Sequence, residues 1–176
     1  MFTLEPCVPA SIDAMELHLE NRIEVAASPT RVFEMVVGVG ARSEASWFPD
    51  FQAATWRTPA PHGVGSVRDY RLSYARMTEH FVVWEPGRRA TFYVSRSSLP
   101  FVSQLVQDYQ ITPVAGGCEL VWRVGYRLAP MFEYFRTPLR LAYAEVFGAA
   151  SQRLKAFLDA APPSSRAFSP MVAVLE

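Results

Sequence analysis

Polar and apolar residues alternate along residues 15–26, and this period of two predicts a half-buried strand. A short helix is predicted directly afterwards, because Ser28 suits an N-cap and Pro29 suits the first helical position. A second short helix is predicted at residues 41–47, where Pro49 stops it. Two small helices therefore interrupt the chain soon after its first strand.

Six further strands are predicted, and segments rich in proline, glycine and serine separate them. They cover residues 51–57, 64–74, 77–85, 89–95, 103–112 and 119–128. Short breaks of this kind are typical of hairpins, which join antiparallel strands. Alternation is cleanest in the last strand, which brings to one face the apolar residues Leu120, Trp122, Val124, Tyr126 and Leu128.

A long helix is predicted from about residue 134 to 160, because large apolar side chains recur there at three- and four-residue spacing. The element order contains no β-α-β crossover, so the predicted fold class is α+β, with a curved antiparallel sheet wrapped around the long C-terminal helix. Residues 15–160 are predicted to form this domain. Residues 1–14 are predicted to be an N-terminal extension and residues 161–176 a loose tail.

A strongly twisted sheet curls, and large aromatic side chains hold it unevenly away from the helix, which leaves room for a cavity. Gln107 shares a strand face with Leu105 and Ile111 and is a candidate polar contact in that cavity. Aromatic side chains on the inferred inward faces are the other candidate ligand contacts: Tyr70, Tyr74, Tyr109, Trp122, Tyr126, Phe135, Tyr143 and Phe147. Core packing explains many of these aromatic positions equally well.

Three polar residues are candidates for acid or base chemistry in the cavity, namely His80, Glu79 and Arg68. His80 and Glu79 lie on opposite faces of the strand at residues 77–85, and the pattern leaves open which face is inward. Arg68 points inward if Tyr70 does, and it would then bind an acid or enolate. A cross-strand ion pair on the outer face is the favoured alternative for Arg68.

Residues 23–33 run from a strand through small residues and a proline into a helix with a Val-Phe pair. The junction Trp47-Phe48-Pro49 stands before the next strand, and residues 83–89 read Val-Trp-Glu-Pro-Gly-Arg-Arg. In order and spacing, these segments resemble the START-like (SRPBCC) superfamily of the polyketide cyclase/dehydrase and lipid-transport type. The likeness covers about residues 15–160. It departs in the last hairpin, where Gly117-Cys118 replaces the family's Gly-Thr.

The resemblance implies a helix-grip fold whose cavity holds a hydrophobic small molecule, such as a lipid, an isoprenoid or a polyketide-like compound. A carrier or binding protein is the first functional hypothesis. The alternative is an aromatase/cyclase-type enzyme that uses cavity-facing polar residues for acid/base chemistry, because the superfamily leaves the reaction type open. Iron-sulfur spacings and the iron ligand set of ring-hydroxylating members are missing from the chain, so no cofactor is expected.

Charge and cysteine content narrow the partners further. Lysine and arginine total 17, as do the acidic residues, so the net charge does not favour nucleic acid. Cys7 and Cys118 stand apart, which suits a reducing cytoplasm better than a zinc site or a redox pair. His18 and His62 are predicted to be solvated, and no metal site is expected. Stretches of roughly 18 apolar residues are lacking, so membrane insertion is not expected. The pattern leaves the oligomeric state open.

Overall fold

The computed structural model describes residues 1–38 and 47–160. Within these residues the sheet has eight strands: β1 (Phe2–Thr3), β2 (Leu17–Val25), β3 (Phe51–Trp56), β4 (Val67–Leu72), β5 (Arg76–Glu85), β6 (Arg89–Ser97), β7 (Val102–Val114) and β8 (Gly117–Leu128). Their order across the sheet is β2, β8, β7, β6, β5, β4, β3, and the short β1 pairs with β6. All pairs are antiparallel, which confirms the predicted sheet.

The inward face of the sheet follows the predicted alternation most closely in β8. Its five apolar side chains from Leu120 to Leu128 are all buried in the main core. β4 is shorter than predicted and begins at Val67, because Gly65 turns the chain just before it with a φ of 86° that favours glycine. In β8 and β4, alternation therefore indicates the face of a strand more accurately than its ends.

The first helix, α1 (Pro29–Phe33), has the predicted cap, since the backbone N–H of Arg31 donates to Ser28 Oγ at 3.3 Å. Its chain continues into a π-helical turn at Glu34–Gly38. The second predicted helix, at residues 41–47, lies outside the described residues apart from Trp47. At the other end of the chain, a 3₁₀ turn (Pro130–Phe135) leads into the long helix α2 (Arg136–Ala160), as expected from the apolar period.

The two halves of α2 pack differently against the sheet. In the second half Ala150, Leu154 and Leu158 are buried, whereas in the first half Leu139 and Tyr143 are only half-buried. Two hydrogen bonds fix the C-terminal end: Lys155 Nζ donates to the backbone oxygen of Glu24 at 2.6 Å, and the Ala26 N–H donates to Asp159 at 2.9 Å. The helix is thus held at one end and stands over a gap at the other.

Residues 1–14, expected to be an extension, cover part of the outer face of the sheet. Cys7, Ile12 and Met15 form a second buried cluster with Val106 of β7. A Cβ at Gly125 of β8 would lie 2.9 Å from the Met15 sulfur and 3.2 Å from the Ile12 Cα, so a larger residue there would require these neighbours to shift. The N-terminal segment therefore excludes water from this part of the outer face. The sequence pattern did not indicate this contact.

Candidate functional site

A groove of about 270 Å³ lies between the first half of α2 and the sheet. From α2 it is lined by Leu139, Ala142, Tyr143, Val146 and Phe147. The rest of its lining comes from Phe48, Leu72, Tyr74, Ala75, Met77, Leu99, Phe101, Leu105 and Gln107. None of the described residues that line it is charged, and a mostly apolar concave surface of this kind fits the body of a small molecule.

A smaller chamber of about 30 Å³ adjoins the groove and shares Phe48, Met77 and Gln107 with it. Its lining is more polar and includes Trp47, Arg68, Tyr70, Glu79 and Tyr109. A volume of this order accepts about one water-sized group. The site therefore combines an apolar groove with a small polar end.

An ion pair between Arg68 and Glu79 forms one wall of the chamber. The two residues lie directly opposite each other on β4 and β5, and Arg68 Nε and Nη2 approach Glu79 Oε2 to 2.7 and 2.6 Å. Both side chains are 3% exposed. Arg68 Nη1 also donates to the backbone oxygen of Val37 at 3.1 Å, so all three guanidinium nitrogens are engaged.

Aromatic rings enclose the Arg68 guanidinium. Its carbon lies between 5.2 and 5.9 Å from four ring centroids, those of Trp56, Tyr70, Phe81 and Phe92. Rings at this distance attract a cation through their electron-rich faces, most strongly when water is excluded. The arginine is thereby kept in place inside an apolar core. The favoured expectation of an ion pair on the outer face is wrong, because the pair lies on the inner face.

The face of β5 that points inward changes along the strand. Glu79 and Phe81 point into the core, whereas His80 lies on the outer face and stacks on Tyr93 at 5.1 Å. The register with β6 then shifts between Phe81 and Val83, and this bulge returns Trp84 to the inner side, against Phe81. A strict period of two cannot describe a strand that contains such a bulge.

Burial changes the protonation behaviour of the chamber. Desolvation raises the pKa of Glu79 above its ordinary value, although the charge and hydrogen bonds of Arg68 act in the opposite direction. Burial likewise raises the pKa values of Tyr70 and Tyr109, so both phenols are neutral. Outside the chamber, burial and the charge of Arg57 lower the pKa of His80. Glu79 is thus the titratable carboxyl group that a ligand in the chamber would meet.

Gln107 connects the chamber with the groove. Its Oε1 accepts hydrogen bonds from Trp122 Nε1 at 3.2 Å and from the Tyr109 hydroxyl at 3.4 Å. An indole N–H can only donate, so the atom that faces Trp122 is the amide oxygen. The amide orientation is therefore fixed, and its NH₂ group is the part left to interact with a ligand.

A model of the family described as "polyketide cyclase / dehydrase and lipid transport" matches residues 16–159. The chain belongs to this family. Uncharacterized proteins of Mycobacterium tuberculosis and Mycobacterium bovis are each 30% identical to it over 127 residues, which is 69% of this chain and 75% of each relative. The resemblance of the sequence motifs to the polyketide cyclase/dehydrase and lipid-transport type is confirmed.

Solved structures show the same fold at low sequence identity. A protein from Thermus thermophilus superposes with a TM-score of 0.63 at 15% identity, over 80% of this chain and 96% of its own. Ginseng major latex-like protein 151 from Panax ginseng gives 0.62 at 15% identity, also over 80% of this chain and 96% of its own. The family and the fold together support a hydrophobic ligand-binding role.

Most of the residues expected at the ligand line the site. The groove is lined by Tyr74, Tyr143, Phe147 and Gln107, and the chamber is lined by Tyr70, Tyr109 and again Gln107. The others lie elsewhere: Trp122, Tyr126 and Phe135.

Trp122 packs between Tyr109 and Phe147, each about 5.1 Å away, and Tyr126 is covered by Tyr143 at 4.6 Å. Phe135 is 56% exposed and lies in the 3₁₀ turn before α2. These three are corrections to the expected pocket. For Trp122 and Tyr126, alternation indicates that the side chains point toward the helix, but it does not show which of them other side chains cover. Phe135 was expected on the inward stripe of the long helix, but it lies in the turn that precedes the helix.

Several lining residues were not among the predicted contacts. Trp47 and Phe48 belong to the aromatic-proline junction, and that pattern does not predict a position in the site. Both lie just before β3, and the ring of Phe48 packs against Tyr70 at 6.0 Å and Phe147 at 6.3 Å. Leu139 and Val146 were visible in the apolar stripe of the long helix, a signal that could have identified them.

Among the described residues, no group of three or more histidine, cysteine or acidic side chains is arranged to hold a metal ion. No helix in the described ranges is long and apolar enough to cross a bilayer. The chemistry that the described site offers is therefore apolar burial together with the hydrogen-bonding and titratable groups of the chamber.

Proposed function

We propose that the protein is a carrier or binding protein for a hydrophobic small molecule, such as a lipid, an isoprenoid or a polyketide-like compound. The observation that carries the proposal is the groove of about 270 Å³ under the first half of α2, with no charge among its described lining residues. Burial of apolar ligand surface there contributes roughly 25 cal/mol for each Å² removed from water. The chamber would receive the polar end of the ligand.

The position of α2 also supports binding. Its second half is packed and hydrogen-bonded at the end of β2, whereas Leu139 and Tyr143 in its first half remain half-buried over the groove. A ligand in the groove would bury these side chains further. Apolar surface that the protein alone leaves partly exposed is thus available for binding.

A substitution that fills the groove tests the proposal. Ala142 lines the groove, so Ala142→Trp places a large ring in the ligand's space. We expect Ala142→Trp to weaken Nile red binding by about tenfold or more, equivalent to a loss of about 1.4 kcal/mol or more. The measurement is a fluorescence titration of the purified protein with this neutral, apolar dye, followed by competition with fatty acids and isoprenoids.

The matched control is Ala144→Trp. Ala144 is an exposed alanine two positions further along α2 and is not among the lining residues, so the affinity for Nile red should stay unchanged. Equal affinities for the wild-type protein and Ala142→Trp would refute binding in the groove. Absence of binding by Nile red and by every competitor would remove the binding-protein proposal altogether.

A second candidate, an acid/base enzyme of the aromatase/cyclase type, is favoured by one observation. Glu79 is a buried carboxyl group with a raised pKa at the end of a ligand-sized groove, and such groups serve as general acids or bases. If this enzyme exists, Glu79→Gln abolishes turnover of a polyketide substrate. His80→Gln leaves turnover unchanged, because His80 lies on the outer face. Equal turnover in the wild-type protein and Glu79→Gln would exclude Glu79 as the acid or base.

A further inference from the structure

The indole N–H of Trp47 has no hydrogen-bond acceptor among the described residues, although the side chain is 94% buried. The ring is held between Phe48 at 5.7 Å and Trp122 at 5.9 Å, both in edge-to-face contact. A buried N–H without a partner loses the hydrogen bond that water would give it, so native proteins seldom leave one without a reason. Trp47 lines the chamber, which suggests that a ligand supplies the acceptor.

Gln107 adds a second donor to the same chamber. Its oxygen already accepts from Trp122 and Tyr109, which leaves the amide NH₂ for a ligand. The chamber accommodates about one water-sized group, so only the terminal atom of a ligand enters it. An acceptor oxygen there would lie close to the donors of Trp47 and Gln107.

The charges in the chamber decide which kind of oxygen fits. Arg68 and Glu79 compensate each other, and all three nitrogens of Arg68 are already engaged by Glu79 and the Val37 carbonyl. A ligand carboxylate would bring a second negative charge beside Glu79 without a free cation, and burial of an unpaired charge is costly. A neutral carbonyl oxygen accepts the Trp47 hydrogen bond without that cost.

We infer that the chamber selects hydrophobic ligands whose apolar body ends in a neutral carbonyl group, as in a ketone or an ester, and disfavours free carboxylates. This inference rests on the proposed function, since the groove must hold the apolar body. Trp47 and Gln107 donate to the carbonyl oxygen, and the Arg68–Glu79 pair excludes the acid. The polar end of the site thereby sets specificity, while the groove supplies most of the affinity.

Three compounds of equal carbon number test the selection: methyl nonyl ketone, undecanoic acid and undecane, each competing against Nile red at neutral pH. We expect the ketone to bind the wild-type protein about tenfold more tightly than either other compound, in line with one neutral hydrogen bond gained in a dry site. Trp47→Phe keeps an aromatic ring but removes the N–H. It should abolish most of the ketone's advantage over undecane.

Trp84→Phe is the matched control, because Trp84 lies against Phe33 and Phe81 and does not line the chamber. It should leave the ketone's advantage intact. Equal binding of the three compounds to the wild-type protein, with Nile red bound, overturns the inference but retains the proposed function. Failure of Nile red and of all three compounds to bind overturns both. The wild-type series is decisive even if Trp47→Phe does not fold.

Discussion

Among the described residues, two arginine-carboxylate pairs of the sheet have a buried carboxylate, one on each face. The inner pair, Arg68 and Glu79, joins β4 to β5 inside the core, and both side chains are 3% exposed. The outer pair, Arg89 and Asp108, joins β6 to β7 on the opposite face, where the arginine is 35% exposed and the carboxylate fully buried. Both have short contacts, of 2.6 Å in the inner pair and 2.9 Å in the outer pair.

The pKa values of the two carboxyl groups are shifted in opposite directions. For Glu79 desolvation dominates, and the pKa is raised despite Arg68. For Asp108 desolvation also raises the pKa, but hydrogen bonds from Arg89, Thr91 and Gln110 outweigh it and hold the pKa below its ordinary value. Asp108 has the additional donors Thr91 and Gln110, and their hydrogen bonds help to hold its pKa low.

This difference indicates separate roles for the two pairs: the outer pair suits a structural role, and the inner pair suits a ligand-binding site. Asp108 has three partners on its own sheet face, and its ionised form is favoured in the folded state. Within the described part of the chain, Arg68 is the one hydrogen-bonding partner of Glu79, which faces the chamber. Fully buried ion pairs such as Arg68–Glu79 seldom contribute net stability. Carboxyl groups with shifted pKa values are common at functional sites. The inner pair is therefore best explained by its place at the end of the groove.

Removal of the arginine from each pair gives the largest expected difference. Arg68→Ala leaves Glu79 buried without a countercharge and empties a space between four aromatic rings, so we expect the free energy of unfolding to fall by about 3–5 kcal/mol. Arg89→Ala should cost about 1–2 kcal/mol, because Asp108 keeps Thr91 and Gln110 and the lost arginine is partly solvated. Urea denaturation at neutral pH measures both.

A double variant shows whether the loss comes from the unpaired charge. Arg68→Met combined with Glu79→Leu replaces the inner pair by apolar side chains of similar size, and its stability should return to within about 1–2 kcal/mol of the wild-type protein. A double variant as unstable as Arg68→Ala would show that the pair itself stabilises the fold. The contrast between the inner and outer pairs would then be lost.

The sequence predicts the strands, the long helix and the fold class better than it predicts the residues of the candidate ligand-binding site. In β8 the alternation from Leu120 to Leu128 holds because the register with β7 is regular from Leu120 to Arg127, and the shift next to Leu128 places its extra residue in β7. In β5 the register shifts twice relative to β6, and a pattern that assumes period two cannot assign Glu79, His80 and Trp84 to faces. The bulges are properties of strand pairing, which a single strand's sequence does not contain.

The chamber was harder still to predict, because its residues come from separate elements. Trp47 precedes β3, Arg68 and Glu79 lie on β4 and β5, and Gln107 lies on β7. An arginine in a strand is usually solvated, so placing Arg68 outside was the reasonable expectation from sequence. Its burial requires a countercharge such as Glu79 directly opposite, and this register depends on the whole sheet.

The smallest expected effect is a change in how stability depends on pH, with opposite signs for the two pairs. Between 4.5, the ordinary pKa of Glu79, and its higher folded-state pKa, the folded protein keeps a proton that the unfolded chain has released, so stability falls as pH rises. Asp108 behaves in reverse. Below its ordinary pKa of 3.8, the unfolded chain takes up a proton before the folded protein does, so stability is lost as pH falls.

Urea midpoints measured across this pH range for Glu79→Gln and Asp108→Asn separate the two contributions. Glu79→Gln should remove the decline above pH 4.5, and Asp108→Asn should reduce the loss below pH 3.8. His80, whose pKa is lowered, contributes with the opposite sign to Glu79 but does so in both the variant and the wild-type protein. Its effect cancels in their difference. A Glu79→Gln curve parallel to the wild-type curve above pH 4.5 would mean that Arg68 fully offsets burial, and the predicted opposite signs of the two pairs would be wrong.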